Sequence, residues 1–299
     1  MGSRGQPSVI VLLKTLLWLL GRLSQEAPCR LARRWAPLWM RLSPGKKKVA
    51  AANLAACYPG LEPAARESLL RESFVHYICS ILEAGRNRCW PLDRLQALCD
   101  GDAGMETLIA GLAAGKGVVI LAPHFGAWEF LGMYLQKLPD IAILYKPPAH
   151  PGIEKALQQQ RSRGGANMLP ATLAGLRQLY TRVLAGKGVG ILPDQQPGSG
   201  HGQFAPFFGV PALTGVLAPR LIQKTGALVY YAVCERREGG HYRLHVLPAG
   251  SGIHSSDLST ALAELNRGVE RCIAIDPAQY LWSYRRFRAR PDGAPPLYD

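Results

Sequence analysis

The chain has 299 residues, of which 48% are hydrophobic, and its 35 basic and 21 acidic residues give a formal net charge of +14. This composition excludes a disordered polypeptide and suffices for a full core, in a length that is ordinary for one α/β domain. The charge favours an anionic partner: nucleic acid, an anionic membrane surface, or a phosphorylated or acidic substrate. The seven cysteines form no CxxC pair, so we interpret them as reduced cytosolic thiols.

The N-terminal stretch is strongly apolar and is followed by arginines. Residues 9–20 are shorter than the roughly 20 residues that a membrane-spanning helix needs. A secretory signal peptide is the first alternative, but arginines stand where its cleavage site would be. Trp35, Trp39 and Met40 alternate with arginines, as in helices that lie at the lipid headgroup boundary. We predict that residues 1–45 form an N-terminal hydrophobic membrane-anchoring helix with a basic amphipathic segment, and an ordinary buried helix is the alternative.

The remainder, residues 46–299, is predicted to be a single α/β domain on the cytoplasmic side of a membrane, because its N-terminal flank is basic. The predicted helices cover residues 46–57, 63–83, 126–138, 152–163, 172–185, 213–225 and 256–275. The predicted strands cover residues 117–122, 141–145, 188–192, 228–234 and 241–247. Their alternation predicts a mostly parallel central sheet flanked by helices on both faces, and a Gly-Gly turn joins the last two strands as a hairpin.

The strand at 117–122 ends at a proline, and a histidine comes next. Glu129 follows His124 by five residues, which on an ideal helix would leave the two side chains roughly 140° apart. They meet only if His124 lies in the turn before the helix, and Gly126 permits that tight corner. The pair is then interpreted as a base and its orienting acid, although a structural histidine is the alternative.

Other polar side chains follow neighbouring strands. Lys146 comes after the strand at 141–145, while Asp194 and Gln195 come after the strand at 188–192. Because parallel strands share one carboxyl edge, Lys146 and Asp194 are expected near His124. Arg161 is a candidate for binding a phosphate or carbonyl oxygen through its two-pronged guanidinium. The alternative is an ordinary surface arginine.

Two further features leave alternatives open. The Pro-rich aromatic segment at 203–211 is interpreted as a loop that either lines a slot for a hydrocarbon chain or docks into the core. Glu83, at the end of the second predicted helix, is either a solvated residue or a second acid that faces substrate.

Several motifs stand in order along nearly the whole chain. They are Asn53-Leu54, Cys57-Tyr58-Pro59, His124-Phe-Gly-Ala-Trp-Glu129, Tyr145-Lys146-Pro147, Arg161 with Gly164, Asp194-Gln195, Pro206-Phe-Phe-Gly209 and the segment from Gln279 to Arg288. In this combination the chain resembles the bacterial lipid A late acyltransferases, the lauroyl and myristoyl transferases that add secondary chains to Kdo-bearing lipid A precursors.

The resemblance implies a glycerol-phosphate-acyltransferase-like α/β fold at the bacterial inner membrane, with the catalytic domain on the cytoplasmic face. It implies an acyl thioester donor, acyl-carrier protein or acyl-CoA, and an anionic glycolipid acceptor. It makes His124 the general base and Glu129 its partner. It also places Arg161 and Asp194 in the active-site region. We predict that substrate is bound by Arg161, Asp194, Lys146 and Gln195. No metal or other cofactor is expected, because a thioester is already activated.

Two departures from the family pattern leave the acceptor open. Ala127 stands where the family commonly has Asn, and Lys146 where it commonly has Arg, so hydrogen-bonding capacity differs at both positions. Acylation of another bacterial glycolipid or aminolipid is therefore an alternative. Other classes remain: a non-catalytic peripheral lipid-binding protein, and a metal-dependent hydrolase that uses His124, Glu129 and Asp194 as ligands. A nucleic-acid binder suits the charge but lacks a binding motif.

Overall fold

A mostly parallel sheet forms the centre of the molecule. The computed structural model describes residues 14–148, 154, 158 and 161–298. The strands are β1 (Cys99–Ala103), β2 (Val118–Leu121), β3 (Ala142–Tyr145), β4 (Asn167–Pro170), β5 (Gly188–Ile191), β6 (Gly202–Phe207), β7 (Val210–Gly215), β8 (Leu228–Arg236) and β9 (Tyr242–Pro248). Strands β6 and β7 form a separate hairpin, and the other seven make one sheet in the order β1-β9-β8-β2-β5-β3-β4.

Only one neighbouring pair in the seven-stranded sheet is antiparallel, the β8–β9 hairpin. All its other pairs are parallel, and β2 lies between β5 and β8. Every residue of β2 and β5 is buried, as expected for central strands that are covered on both faces. The predicted mostly parallel sheet and its final hairpin are therefore confirmed.

Helices cover both faces of this sheet. They are α1 (Ala27–Leu42), α2 (Pro44–Cys57), α3 (Pro63–Cys89), α4 (Leu92–Gln96), α5 (Met105–Ala113), α6 (Trp128–Tyr134), α7 (Leu173–Leu184), α8 (Leu217–Thr225) and α9 (Leu258–Ile273). Ile120 of β2 packs in the same core layer as α6, which we call the α6 face of the sheet. Val119 and Leu121 pack in the layer that contains α7, α8 and α9, which we call the α7 face. The predicted helix at 152–163 lies largely outside the described residues, although positions 154, 158 and 161 are helical.

Four strands were missed by the sequence interpretation, β1, β4, β6 and β7. The segment predicted as a loop at 203–211 forms most of the β6–β7 hairpin, and Phe207, which is 1% exposed, packs against Phe287 in the core. The next helix begins at Leu217 and not at residue 213, because β7 runs to Gly215. Strands β1 and β4 are short edge strands whose burial patterns are mostly exposed or intermediate, so they carry little apolar signal.

Helix α1 packs against α3 through a stripe of small and apolar residues. Ala32, Ala36 and Met40 are buried in the main core, so Met40 is not part of a lipid-facing surface as the sequence suggested. Residues 9–13 of the predicted anchor lie outside the described part of the chain, and residues 14–20 are helical. Among the described helices, none is both long enough and apolar enough to cross a bilayer.

Two expectations about α3 were wrong. Cys29 of α1 and Cys79 of α3 form a disulfide, their Cα atoms being 5.2 Å apart, so these two cysteines are not free thiols. Glu83 is not a solvated residue and has no surface open to a ligand, because it is 2% exposed and forms salt bridges with Arg86 and Arg236. The disulfide and the Glu83–Arg236 salt bridge join residues distant in sequence, which local spacing cannot reveal.

Candidate active site

The corner between β2 and α6 places a histidine at the carboxyl edge of the sheet. Helix α6 begins at Trp128, so His124 lies in the turn that precedes it, as predicted. Gly126 adopts a φ of +55°, and a Cβ at this position would overlap the carbonyl oxygen of Cys234. The amide of Gly126 donates to the carbonyl of Gln279 at 2.9 Å, so the C-terminal segment holds the corner in place.

Asp194 holds His124 through both of its carboxylate oxygens. The imidazole Nδ1 lies 2.8 Å from Oδ1, and the backbone N–H of His124 donates to Oδ2 at 2.9 Å. Asp194 is 3% exposed, and it follows β5, the neighbour of β2 in the sheet. An ionised carboxylate only accepts hydrogen bonds, so Nδ1 carries the proton and Nε2 keeps its lone pair.

The two groups shift one another's pKa in opposite directions. Burial disfavours the imidazolium, but the charge and the hydrogen bond of Asp194 outweigh this effect and raise the pKa of His124. Burial also disfavours the carboxylate, but the charge of His124 and its hydrogen bonds lower the pKa of Asp194. The arrangement therefore makes His124 a stronger base than an ordinary histidine.

The Nε2 edge of the imidazole contacts an exposed amide side chain. The amide Nε2 of Gln195 lies 3.1 Å from Nε2 of His124, and Gln195 is exposed. With Nδ1 protonated, the amide N–H donates to the lone pair of the histidine. Nε2 of His124, the atom available to accept a proton, is thus hydrogen-bonded to the exposed side chain of Gln195.

Glu129 does not bond to His124 but to Arg161. The guanidinium of Arg161 donates from Nε to Oε2 at 3.1 Å and from Nη2 to Oε1 at 2.5 Å, a two-pronged salt bridge. Glu129 acts on His124 only through its charge, which helps to raise the pKa of the imidazole. The hydrogen-bonded partner of Nδ1 is therefore Asp194 and not Glu129, because the first turn of α6 directs Glu129 towards Arg161.

A large cavity of about 1540 Å³ opens beside this group. Five of the six predicted site residues line it, and they are His124, Glu129, Lys146, Arg161 and Gln195. Asp194 lies behind the imidazole, buried from the cavity. The structure thus brings all six predicted residues to one edge of the sheet. Five of them line the cavity wall, and the sixth, Asp194, is hydrogen-bonded to His124.

The cavity wall is strongly basic. Its cations are Lys146, Arg161, Arg177, Arg220, Lys224 and Arg288, and Glu129 is the sole carboxylate among the described lining residues. The sequence interpretation missed Arg177, Arg220 and Lys224, which lie on α7 and α8. For Arg177 the signal was the spacing of Leu173, Leu176, Arg177 and Tyr180, which places an apolar and basic stripe on one face of α7.

The donor set of the metal-hydrolase alternative is not assembled. It requires the carboxylates of Glu129 and Asp194 to converge with His124, but Glu129 is bonded to Arg161 while Asp194 is bonded to the imidazole. The geometry defines a different class of site. An imidazole that is held by a buried carboxylate and lines a large cavity is an arrangement suited to general-base chemistry on a substrate that carries an exchangeable proton.

Comparison with known proteins gives this enzyme class a family. The chain belongs to the bacterial lipid A biosynthesis acyltransferases, whose family model matches residues 6–289. It is 30% identical over 290 residues to the lipid A biosynthesis lauroyltransferase of Escherichia coli K12, and 27% identical over 285 residues to the palmitoleoyltransferase of that strain. Each alignment covers 95% of this chain and 92% of the relative. The myristoyltransferase of the same strain is 24% identical over 256 residues, covering 85% and 78%. The chain is therefore an acyltransferase of the type that acts in lipid A biosynthesis.

Proposed function

We propose that this enzyme transfers a fatty acyl group from acyl-carrier protein or acyl-CoA to a hydroxyl group of a lipid A precursor, with His124 as the general base. The observation that carries the proposal is the contact of Nδ1 with Asp194, which leaves the basic Nε2 at the cavity wall. Family membership supports the class of reaction and the acceptor.

The reaction follows from this geometry. The acceptor hydroxyl displaces the amide of Gln195, and Nε2 of His124 takes its proton while the oxygen attacks the thioester carbonyl. The tetrahedral oxyanion accepts hydrogen bonds from the released Gln195 amide and from a cation of the cavity wall such as Lys146. When the oxyanion collapses, the carbon–sulfur bond breaks and the imidazolium returns its proton to the leaving thiolate.

The roles of the remaining residues follow from charge. Arg161, fixed by Glu129, presents a guanidinium to the cavity, where it suits a phosphate or carbonyl oxygen. The excess of cations on the wall suits an anionic glycolipid or an acidic carrier. No metal enters this scheme, because the thioester needs no further activation.

Membrane association is part of the proposal. The outward face of α1 carries Trp35, Leu38, Trp39 and Leu42 at helical spacing, all of them exposed. Arg34 and Arg41 flank this stripe, as in helices that lie in a lipid headgroup region. We propose that α1 holds the enzyme on the cytoplasmic face of the bacterial inner membrane.

The test is transfer of a labelled acyl chain to a Kdo-bearing lipid A precursor, with acyl-carrier protein and CoA thioesters compared as donors. The wild-type enzyme should transfer the chain, and His124→Ala should lower kcat by about 10²–10⁴-fold at equal abundance. His201→Ala is the matched control, because His201 also lines the cavity but its side chain has no hydrogen bond or ion pair with Asp194 or Gln195. If the wild type is inert on this acceptor, the acceptor assignment fails. If His124→Ala matches the wild type, the mechanism fails.

A further inference from the structure

The C-terminal segment, residues 279–289, is held by one buried amide side chain of α2. Nδ2 of Asn53 donates to the backbone carbonyl of Trp282 at 2.7 Å and to that of Tyr284 at 2.8 Å. Asn53 is 2% exposed, and its Oδ1 accepts a hydrogen bond from the hydroxyl of Tyr298 at 2.5 Å. An amide that is buried in this way fixes the backbone it binds, because losing either bond would leave a buried polar group unpaired.

The C-terminal segment contacts both parts of the chain that carry the site around the imidazole. The N–H of Leu281 donates to the carbonyl of His124 at 3.1 Å. In the loop after β5, the N–H of Gln196 donates to the hydroxyl oxygen of Tyr284 at 2.8 Å. The side-chain Oε1 of Gln196 accepts a further hydrogen bond from the N–H of Ala289 at 2.8 Å. Gln196 is therefore bound to the C-terminal segment through both its backbone and its side chain.

Gln195 lies between two residues that are each held by hydrogen bonds. Asp194 before it is bound to His124, and Gln196 after it is bound to the C-terminal segment. The side chain of Gln195 is exposed, and among the described residues it bonds only to Nε2 of His124. The position of this amide therefore depends on the backbone on either side of it, because the side chain has no second contact of its own.

The hydroxyl of Tyr284 can be removed without changing the charges around the base. The charged groups that act on the pKa of His124 are Asp194, Glu129 and Arg161. Among the described residues the Tyr284 hydroxyl bonds to none of these three, and its recorded contact is the backbone N–H in the loop after β5. Tyr284→Phe keeps the ring in the cavity wall and deletes only this contact.

We propose that Tyr284 and Asn53 are positioning residues that hold the Gln195 amide against the catalytic base. Tyr284 acts through the backbone of Gln196, and Asn53 acts through the backbone of Tyr284. This inference rests on the proposed function, since it adds two residues to the machinery around the same base. Neither side chain has to touch substrate to act in this way.

The first experiment compares kcat, KM and the pH profile of Tyr284→Phe with those of the wild type. The value of kcat should fall about three- to tenfold, as for the loss of one hydrogen bond, with little change in KM. The acidic limb of kcat/KM should move to higher pH, because a loosened Gln195 amide stabilises the neutral imidazole less. Tyr180→Phe is the matched control, because Tyr180 lines the same cavity and its hydroxyl bonds to no described residue. The limb should stay in place in this control.

A double-variant cycle separates positioning from a general structural role. In a Gln195→Ala background, Tyr284→Phe should cause no further loss of kcat and no further shift of the limb, because the amide that it positions is absent. Equal losses in both backgrounds would overturn the proposal. A raised KM with an unmoved limb would also overturn it, by assigning Tyr284 to substrate binding. Asn53→Ala should lower kcat and move the limb in the same direction, and Tyr284→Phe decides alone if this buried variant does not fold.

A measurement without substrate tests the positioning even if the wild type transfers nothing and the proposed function fails. The pKa of His124 is obtained by NMR titration of the ring protons in the full-length enzyme, and His124→Ala assigns the signal. The pKa should be higher in Tyr284→Phe than in the wild type, while Tyr180→Phe should match the wild type. An unchanged pKa in Tyr284→Phe would overturn the positioning role and would leave the proposed acyl transfer intact.

Discussion

The chemistry at the residue scale depends on which atom of His124 is free. Asp194 fixes the proton on Nδ1, and the Gln195 amide at 3.1 Å occupies Nε2 before substrate arrives. The same amide can donate to the oxyanion after the acceptor hydroxyl has displaced it. Gln195 would then act at two stages, first by covering the base and then by stabilising the transition state.

Replacing Gln195 with Ala should therefore change both rate and pH dependence. Loss of an oxyanion donor should lower kcat by about 10²–10³-fold. The amide stabilises the neutral imidazole, so its removal should raise the pKa of His124 further and shift the acidic limb of kcat/KM to higher pH. Gln223→Ala, on the exposed side of α8, is the control. A rate loss with an unmoved limb would contradict the contact between Gln195 and the base.

The sequence interpretation located the residues around His124 but assigned Glu129, in place of Asp194, as the hydrogen-bonded partner of the imidazole. Strand ends and the His–x4–Glu spacing placed His124, Asp194 and Lys146 on one edge, because parallel strands share their carboxyl ends. Local spacing could not show that Glu129 bonds to Arg161, which is 32 residues away. Nor could it show that Asp194, 70 residues from His124, supplies both hydrogen-bond acceptors.

At the scale of elements, helix α1 has two apolar faces, one buried in the protein core and one exposed. One face is small and buried against α3, while the other exposes Trp35 to 51% and Trp39 to 36%. A helix that only completed a core would have a polar outer face. This second face is the surface that we assign to lipid.

The double substitution Trp35→Ala with Trp39→Ala should weaken binding to vesicles that contain anionic lipid. Each Trp buries up to about 150–250 Å² at about 25 cal/mol per Å², so the partition coefficient should fall about tenfold or more in a flotation assay. Leu173→Ala with Leu184→Ala, also exposed but on α7, is the control. Equal losses in both double variants, or none in the Trp variant, would refute a specific role for α1.

A buried ion cluster joins helix α3 to strand β8. Glu83 accepts hydrogen bonds from Arg86 at 3.0 Å and from Arg236 at 2.8 Å, and all three are nearly inaccessible to solvent. Burial disfavours the carboxylate, but the charges of Arg236 and Arg86 outweigh it and lower the pKa of Glu83. Its contribution to stability is present above the ordinary carboxyl pKa and is lost as pH falls through the lowered value.

Glu83→Gln should leave two buried guanidinium groups without a counter-charge. The expected loss in the free energy of unfolding is about 3–5 kcal/mol, measured by urea unfolding at neutral pH. Glu72→Gln removes an exposed pair with Arg33 and should cost less than about 1 kcal/mol. Similar losses for the two variants would mean that the buried cluster contributes no more than a surface pair.

At the scale of the whole molecule, the sheet topology explains why the site stands where it does. Apolar runs bounded by Gly and Pro predicted five of the strands, and their alternation with helices predicted the mostly parallel sheet. Of the missed strands, β1 and β4 are short edge strands with little apolar signal, while β6 and β7 form a hairpin whose prolines argued against strands. The cavity was also beyond prediction, because its wall combines β2, β3 and β5 with α6, α7, α8 and the C-terminal tail.

The most direct test of the account is the pH dependence of kcat/KM for acyl transfer in the wild type, Asp194→Asn and Glu129→Gln. The wild-type acidic limb should lie above about pH 6.5, because His124 has a raised pKa and must be neutral to act as a base. In Asp194→Asn, burial is no longer outweighed by a bonded carboxylate, so the limb should move to lower pH. The rate should fall by about 10²–10⁴-fold, because one amide cannot accept both hydrogen bonds from His124.

Glu129→Gln should lower kcat/KM by releasing Arg161, but should move the acidic limb less than Asp194→Asn does. A limb that stays in place in Asp194→Asn, or that moves further in Glu129→Gln, would contradict the assignment of Asp194 as the partner of the base.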